Sequence, residues 1–353
     1  MNPQVSVVVK SYNHADYVGE TIRSILDQSF QDFEIVVTDD GSTDGTADVV
    51  RSFVDPRIRL EVFEKNRGIS AAMNATIARA CGEFIAILNS DDFALPGRLQ
   101  RQVDFLRENP DVAGVFGLPR TVDERGEPTE NFFDFTMPFS LPDLSRTTLL
   151  RRFFFHGNFL CAPTAMIRRA VYAKIGSYDP RLTNLQDLDM WVRLCTDHEI
   201  HILREELIAY RVRAGNRNMS APRRDTTLRS QFEWSQILRR YRAMNSEFLR
   251  NIFAGDLAAK GLDTAGPHDL WLAELVLASS LPAHRLFVLQ TMFEAANCDA
   301  DNHRLRDAMG EVDVFGMLAE IDRNAEIARL KGALASRDAL IASISQAIAA
   351  ASN

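Results

Sequence analysis

The stretch "VSVVVKSYNHADYVGETIRSILDQSFQDFEIVVTDDGSTDGT", residues 5–46, sets down one pattern twice. An apolar, β-branched run leads into a polar loop and then into a segment with helical periodicity. Residues 5–9 read as a strand, and Val18, Ile22, Ile25 and Leu26 share one helical stripe. "FEIVVT" (33–38) is a second strand, "DDGSTDGT" a loop of helix-capping residues, and "ADVVRSF" a helix carrying Val49, Val50 and Phe53. A third turn runs from "RLEVFE" through "GISAAMNATIARA" into the strand "FIAILN" (84–89). Strands this uniformly apolar, alternating with helices, predict an α/β fold with a mostly parallel, Rossmann-like sheet covered on both faces. Ligands of such sheets bind at the carboxyl ends of the strands. Residues 10–13, 39–42 and 89–92 are three such ends, so polar groups from distant parts of the chain converge there.

The third end, "ILNSDD", closes an apolar strand with two adjacent carboxylates, Asp91 and Asp92. Successive strand residues point to opposite faces, so each acid can have its own ligand. A polyanionic substrate with a divalent cation is one arrangement that uses both. The cap of a helix beginning near Pro96 is the other reading.

At 353 residues the chain has room for one large domain and a smaller appendage. Its composition, 46% hydrophobic and 25% charged, is that of a globular protein, and the net charge of −8 argues against nucleic acid as the main partner. Cys81, Cys161, Cys195 and Cys298 lie far apart with no CxxC pair, which suits reduced thiols rather than a disulfide frame or zinc site. "MNPQVSVVVK" lacks signal-peptide features, and "LWLAELVLASSLP" is too short to span a bilayer and carries Glu274. A cytoplasmic location is expected, with peripheral contact at the inner membrane face left open by "LLRRFFFHGNFL" (149–160); buried helix packing is the favoured reading of those phenylalanines.

Beyond the helix "RLQRQVDFLRENP" come the strand "VAGVFGL" and a loop-rich stretch from about 119 to 145. "APTAMIRRAVYAKIGSYDPRLTNLQDLDMWVRLCTD" reads as strand, short helix, turn, then a helix from about Leu188. The expected domains are residues 1–225 and a helical region 226–353. In the latter Ile327, Leu330, Leu334, Ile341, Ile344 and Ile348 keep 3-4 spacing, which predicts a coiled-coil-like segment over 321–350 and an oligomer contact through these helices.

The opening run, "NRGISAAMNATIARACGEFIAILNSDD" and "IGSYDPRLTNLQDLDMWVRL" together resemble the family 2 glycosyltransferases over about residues 4–215. The resemblance implies a GT-A fold and inverting transfer of a sugar from a nucleotide diphosphate donor, UDP above all, to a hydroxyl acceptor. A glycan, a lipid-linked oligosaccharide or a protein are all compatible acceptors, in bacterial surface polysaccharide or glycoconjugate synthesis. It also implies that Lys10, Ser11 and Tyr12 pack on base and ribose. Asp40, with Asp39 as the close alternative, accepts the imide N–H. "SDD" matches the family's DXD-type motif, with Asp91 on ribose and Asp92 on Mn²⁺ or Mg²⁺; Asn89 stands where an Asp is common. Asp187 matches the general base of an "ED" or "QD" pair.

In "YRVRAGNRNMS", Arg213 takes the place of a frequent His, and Arg211 or Arg213 could stabilise diphosphate. Met73 replaces a common Arg. Outside the motifs, Asp44 reads as a helix cap and Asp189 as the i,i+4 partner of Arg193, while Trp191 suits a sugar platform or the core equally. His14, His156, His198 and His201 read as surface or packing residues.

Two enzyme alternatives fit poorly. A dehydrogenase lacks its GxGxxG, and a sugar nucleotidyltransferase lacks its Gly-rich loop after the first strand. A non-catalytic nucleotide-sugar binder or assembly scaffold is the alternative of a different class, motivated by Asn89, Met73, Arg213 and the helical tail.

Overall fold

The computed structural model describes residues 2–129, 144–213, 218 and 224–295. The chain divides into two compact units, 1–214 with 240–255, and 215–239 with 256–353.

The first unit opens as a strand-helix alternation: β1 (Val5–Ser11), α1 (Ala15–Leu26), β2 (Phe33–Asp39), α2 (Thr46–Arg51), β3 (Ile58–Val62), α3 (Ile69–Arg79) and β4 (Phe84–Asn89). β1 lies parallel between β2 and β4, and β2 carries β3. Val5, Val7, Val8, Val9, Ile35, Val36, Val37 and residues 84–88 are 1% exposed or less, so both faces of these strands are buried. Each such Val, Ile or Leu contributes roughly 1.5–3 kcal/mol of burial, which is why the runs have no polar alternation.

The remaining strands break the parallel order. β5 (Phe93–Ala94), α4 (Arg98–Glu108), β6 (Val112–Val122), α5 (Arg146–His156), β7 (Met166–Arg168), α6 (Arg169–Ile175), α7 (Gln186–Asp197) and β8 (Glu199–Arg211) complete an eight-stranded sheet of order β3-β2-β1-β4-β7-β6-β8-β5. β7 runs antiparallel to β4 and β6, and β5 antiparallel to β8. β4 and β5 hold the fourth and eighth places, yet only residues 90–92 join them. The sheet therefore curls until its far edge returns to the end of β4, bringing the end of β8 onto Asp91 and Asp92.

Arg211, 1% exposed, locks this return. Its backbone N–H donates to Asp92 Oδ1 (2.8 Å) and its Nε to the Asp91 carbonyl (2.8 Å). Nη1 donates to the carbonyls of Asp123 and Glu124 (3.1 and 2.7 Å), and Nη2 pairs with Glu20.

Two boundaries differ from the sequence reading. β6 continues through Pro119 to Val122, where a loop was expected, because register shifts against β8 at Leu118 and Pro119 accommodate a residue with no N–H. α7 starts at Gln186, ahead of the expected Leu188. The phenylalanines of α5 pack as core: Phe153 and Phe154 are 1% exposed or less, and Phe154 meets Tyr241 and Phe253 edge-on.

The second unit is helical, with α8 (Arg224–Leu238), the end of α9 (Ser246–Lys260), α10 (His268–Val276) and α11 (Pro282–Ala295). Trp234 packs on His284, and Arg239 pairs with Glu294 at 2.8 Å. The segment 321–350 read as a coiled coil lies outside the described residues. Among the described residues no helix is long and apolar enough to cross a membrane.

Candidate active site

The loops after β1 and β2 are stitched together by short polar side chains. Asp39 accepts from Ser11 Oγ (2.9 Å), the Ser42 N–H (2.8 Å) and Ser42 Oγ (2.6 Å), and is fully buried. Asn13, at φ 53, is in the left-handed region that Asn tolerates better than most residues. There its N–H donates to Ser42 Oγ and its side-chain oxygen accepts the Thr43 N–H. Asp44 accepts from the N–H groups of Ala15 and Thr46 and so caps both α1 and α2. Gly41, at φ 73, could not carry a side chain: a Cβ would lie 2.7 Å from the Lys65 carbonyl carbon.

Asp40 accepts the N–H groups of Arg67 (2.7 Å) and Gly68 (3.0 Å) at the start of α3. Burial raises its proton affinity against those two bonds. Tyr12, which follows Ser11 at the end of β1, is 45% exposed.

At the end of β4 the groups are denser. Asp92 is 2% exposed, and its Oδ2 accepts the Asn89 amide (2.8 Å) while Oδ1 accepts the Arg211 N–H. Burial, then the neighbouring Asp91 charge, pushes its pKa well above the ordinary carboxylate range. Lys10 Nζ donates to Asn89 Oδ1 (2.7 Å). Burial holds the ammonium below its usual range, and the charges of Asp91, Asp92 and Asp187 push back. One lysine thus feels Asp91, Asp92 and Asp187 together.

Asp91 has two basic side chains beyond hydrogen-bond range: Arg213 Nη1 at 3.7 Å and His14 Nε2 at 3.8 Å. His14 Nε2 and Arg213 Nη1 are 2.8 Å apart, and His14 Nδ1 is 2.7 Å from Ser90 Oγ. His14, read as a surface or packing residue, therefore belongs to the site.

Asp187 stands at the start of α7. Its Oδ2 accepts the Asn158 amide (2.8 Å) and its Oδ1 the Leu188 N–H (2.8 Å). Burial raises its pKa to about 6, with these bonds and Lys10 opposing. Asn158 had no signal in the sequence beyond lying in a Phe-rich segment. Trp191 is fully buried and edge-on to Phe116 at 4.9 Å, which makes it core. Asp189, also fully buried, pairs with Arg193 and with Arg240, each at 2.8 Å.

Among the described residues no three His, Cys, Asp or Glu side chains form a metal cage. Hard cations that act on nucleotides are held instead by one or two carboxylates and complete their shell with phosphate oxygens and water. Asp91 and Asp92 fit that mode. Each bonded oxygen of Asp92 keeps a second lone pair, and Asp91, at 13% side-chain exposure, has the more open edge.

A curled, largely parallel sheet with an acid pair at the end of its fourth strand, and a further carboxylate at a helix start facing the same lysine, defines a glycosyltransferase of the GT-A class. The model of the glycosyl transferase family 2 matches residues 6–176. An uncharacterized glycosyltransferase of Methanocaldococcus jannaschii is 31% identical over 215 residues, 60% of this chain and 71% of that protein. The chain belongs to glycosyl transferase family 2. The succinoglycan biosynthesis protein ExoO of Rhizobium meliloti is 44% identical over 113 residues, 32% of this chain and 31% of its own.

Among solved structures, residues 1–349 of Staphylococcus aureus TarS in complex with UDP superpose with a TM-score of 0.52 at 18% identity, covering 94% of this chain and 92% of that one. The mannosyltransferase PcManGT of Pyrobaculum calidifontis, in complex with GDP-Man and Mn²⁺, gives 0.51 at 18% identity, over 94% and 87%. At that identity these two speak for the fold.

Proposed function

We propose that this glycosyltransferase moves a sugar from a UDP-type donor to a hydroxyl of a growing polysaccharide or glycoconjugate, with inversion, and that Asp187 is the general base. The observation that carries this is Asp187 itself. It is a largely shielded carboxylate with a pKa of about 6, ionised at neutral pH yet basic enough to take a proton from an attacking hydroxyl. Asn158 fixes its Oδ2 edge and Lys10 keeps it charged.

The nucleoside end follows from the loops. The open ring of Tyr12 offers a stacking face, with Lys10 and Ser11 behind it, and Asp40 accepts the imide N–H on its remaining lone pairs. Asp39, whose oxygens already take three donors, serves as the loop clasp. Arg211 is engaged in holding the sheet closed, and Arg213, beside Asp91 at 3.7 Å, is the cation we assign to the diphosphate. A divalent ion, Mn²⁺ or Mg²⁺, would supply Lewis-acid stabilisation of the departing diphosphate. The sequence pointed to Asp92 as its ligand; exposure favours Asp91 at the open edge, with Asp92 anchored behind it. PcManGT's Mn²⁺ complex supports a cation, the UDP complex of TarS a UDP donor, and the succinoglycan protein a polysaccharide product. The free Cys81, Cys161 and Cys195 are in keeping with a reducing, cytoplasmic setting.

Thermal shift of the full chain against UDP-, GDP- and CMP-sugars, with and without Mn²⁺, tests the donor. The expected result is stabilisation by UDP-sugars, larger with the ion. Preference for another base would overturn the assignment at Asp40. Binding without turnover of any donor would favour the scaffold reading.

A further inference from the structure

The donor-site reading gives His14 no part, although its ring lies against Arg213 and Ser90. We propose that His14 is a positioning residue: its imidazole holds the Arg213 guanidinium just off Asp91, so that cation and carboxylate both remain available to the donor diphosphate and its counter-ion. The inference rests on the donor-site reading above and deepens it.

The hydrogen-bond chemistry fixes the ring. An arginine only donates, so Nε2, 2.8 Å from Arg213 Nη1, must be the acceptor. The ring proton then sits on Nδ1 and points at Ser90 Oγ, 2.7 Å away. Ser90 precedes the acid pair, and the His14 N–H is itself tied to Thr46 Oγ1 at 2.8 Å, so the ring is held from both ends. A charge-assisted Arg–carboxylate bond closes to about 2.7–2.9 Å when nothing intervenes. Here Arg213 Nη1 stays 3.7 Å from Asp91 Oδ2, with His14 Nε2 3.8 Å from the same oxygen. The Arg213 guanidinium also lies 5.7 Å from the Tyr17 ring centroid, a second rest for the same group. Without the imidazole, Arg213 Nη1 keeps Asp91 as a carboxylate 3.7 Å away, and a direct pairing of the two would screen each from an incoming phosphate or metal ion.

The device has a signature that a purely structural role lacks: it acts on diphosphate and leaves the nucleoside alone. Calorimetric titration of the full chain with UDP and with uridine, each in the presence of Mn²⁺, reads it. His14→Ala is expected to weaken UDP about tenfold and leave uridine unchanged. Arg213→Gln should weaken UDP by a similar factor, and the double variant should be no weaker than Arg213→Gln alone. His14→Gln, which keeps an acceptor for Arg213, should stay close to wild type. Equal losses for uridine and UDP, or an undiminished effect of His14→Ala in the Arg213→Gln background, would overturn the proposal. If the wild-type chain binds uridine but gains nothing from the diphosphate of UDP, the positioning role fails while the nucleoside site stands. If it binds neither, the donor reading itself falls.

Discussion

Asp187 is half-buried with a raised pKa, and the groups around it say how that value should move. Protonated below about 6, it cannot act as a base, so kcat/KM should rise with pH through that value and level off above it. The ammonium of Lys10 holds the pKa down. Lys10→Met should therefore shift the limb to higher pH, and Asn158→Ala, which removes a bond to the ionised form, should shift it the same way. A limb that stays put in both variants would assign it to another group. The acid pair separates by a different readout. Asp91→Asn should raise the Mn²⁺ requirement and leave the melting temperature near wild type, whereas Asp92→Asn should also lower the melting temperature, because its one oxygen can serve the Arg211 N–H or the Asn89 amide but not both. Asp187, Asp91 and Asp92 could be named from the sequence because each sits in a local motif. His14 and Asn158 could not: the partners of His14 lie 76 and 199 residues away, and Asn158 reaches Asp187 across 29.

Elements were legible in proportion to how local their signals are. The amphipathic stripe of α1 and the largely apolar β1, β2 and β4 announce themselves, as does the capping Asp44. β7 has three residues and β5 two, too short for any periodicity, and their places depend wholly on pairing with distant strands. α7 shows what holds a functional helix in place. Its Asp189, two residues beyond Asp187, lies fully buried between Arg193 and Arg240. Asp189→Ala takes the shared anion from two guanidinium groups, of which Arg240 keeps Asp179 and Arg193 keeps the Ser177 carbonyl, and should destabilise the fold by about 1.5–3 kcal/mol. A urea midpoint close to wild type would contradict this. Since Asp189 touches no part of the donor site, activity per folded molecule should fall less than in Asp187 variants.

The sheet as a whole explains why the site exists where it does. Parallel strands β3-β2-β1-β4 bring three loops to one edge, and the curl that joins β4 to β5 adds the end of β8 with Arg211 to the same edge. The sequence predicted the first half and was silent on the curl, because nothing local encodes that residues 90–92 span four places in the strand order. At the other end of the sheet, Glu34 sets an acid limit. Burial would raise its pKa, but bonds from the Cys81 N–H, Ser6 Oγ and Arg59 outweigh this and hold it below the ordinary glutamate value. The native state then binds fewer protons there than the unfolded chain. Its contribution is present above the ordinary value and lost as pH falls through the lowered one. Glu34→Gln should flatten the acid limb of the stability profile, measured by denaturation between neutral and acidic pH.

The central claim is that Asp187 is the base of a nucleotide-sugar transferase. The most direct test follows turnover of a UDP-sugar by wild type and Asp187→Asn, with donor affinity measured in parallel. The account predicts unchanged donor binding and a rate lowered by about 100- to 10,000-fold, with the limb near pH 6 lost. An Asp187→Asn enzyme that turns over at the wild-type rate would contradict it.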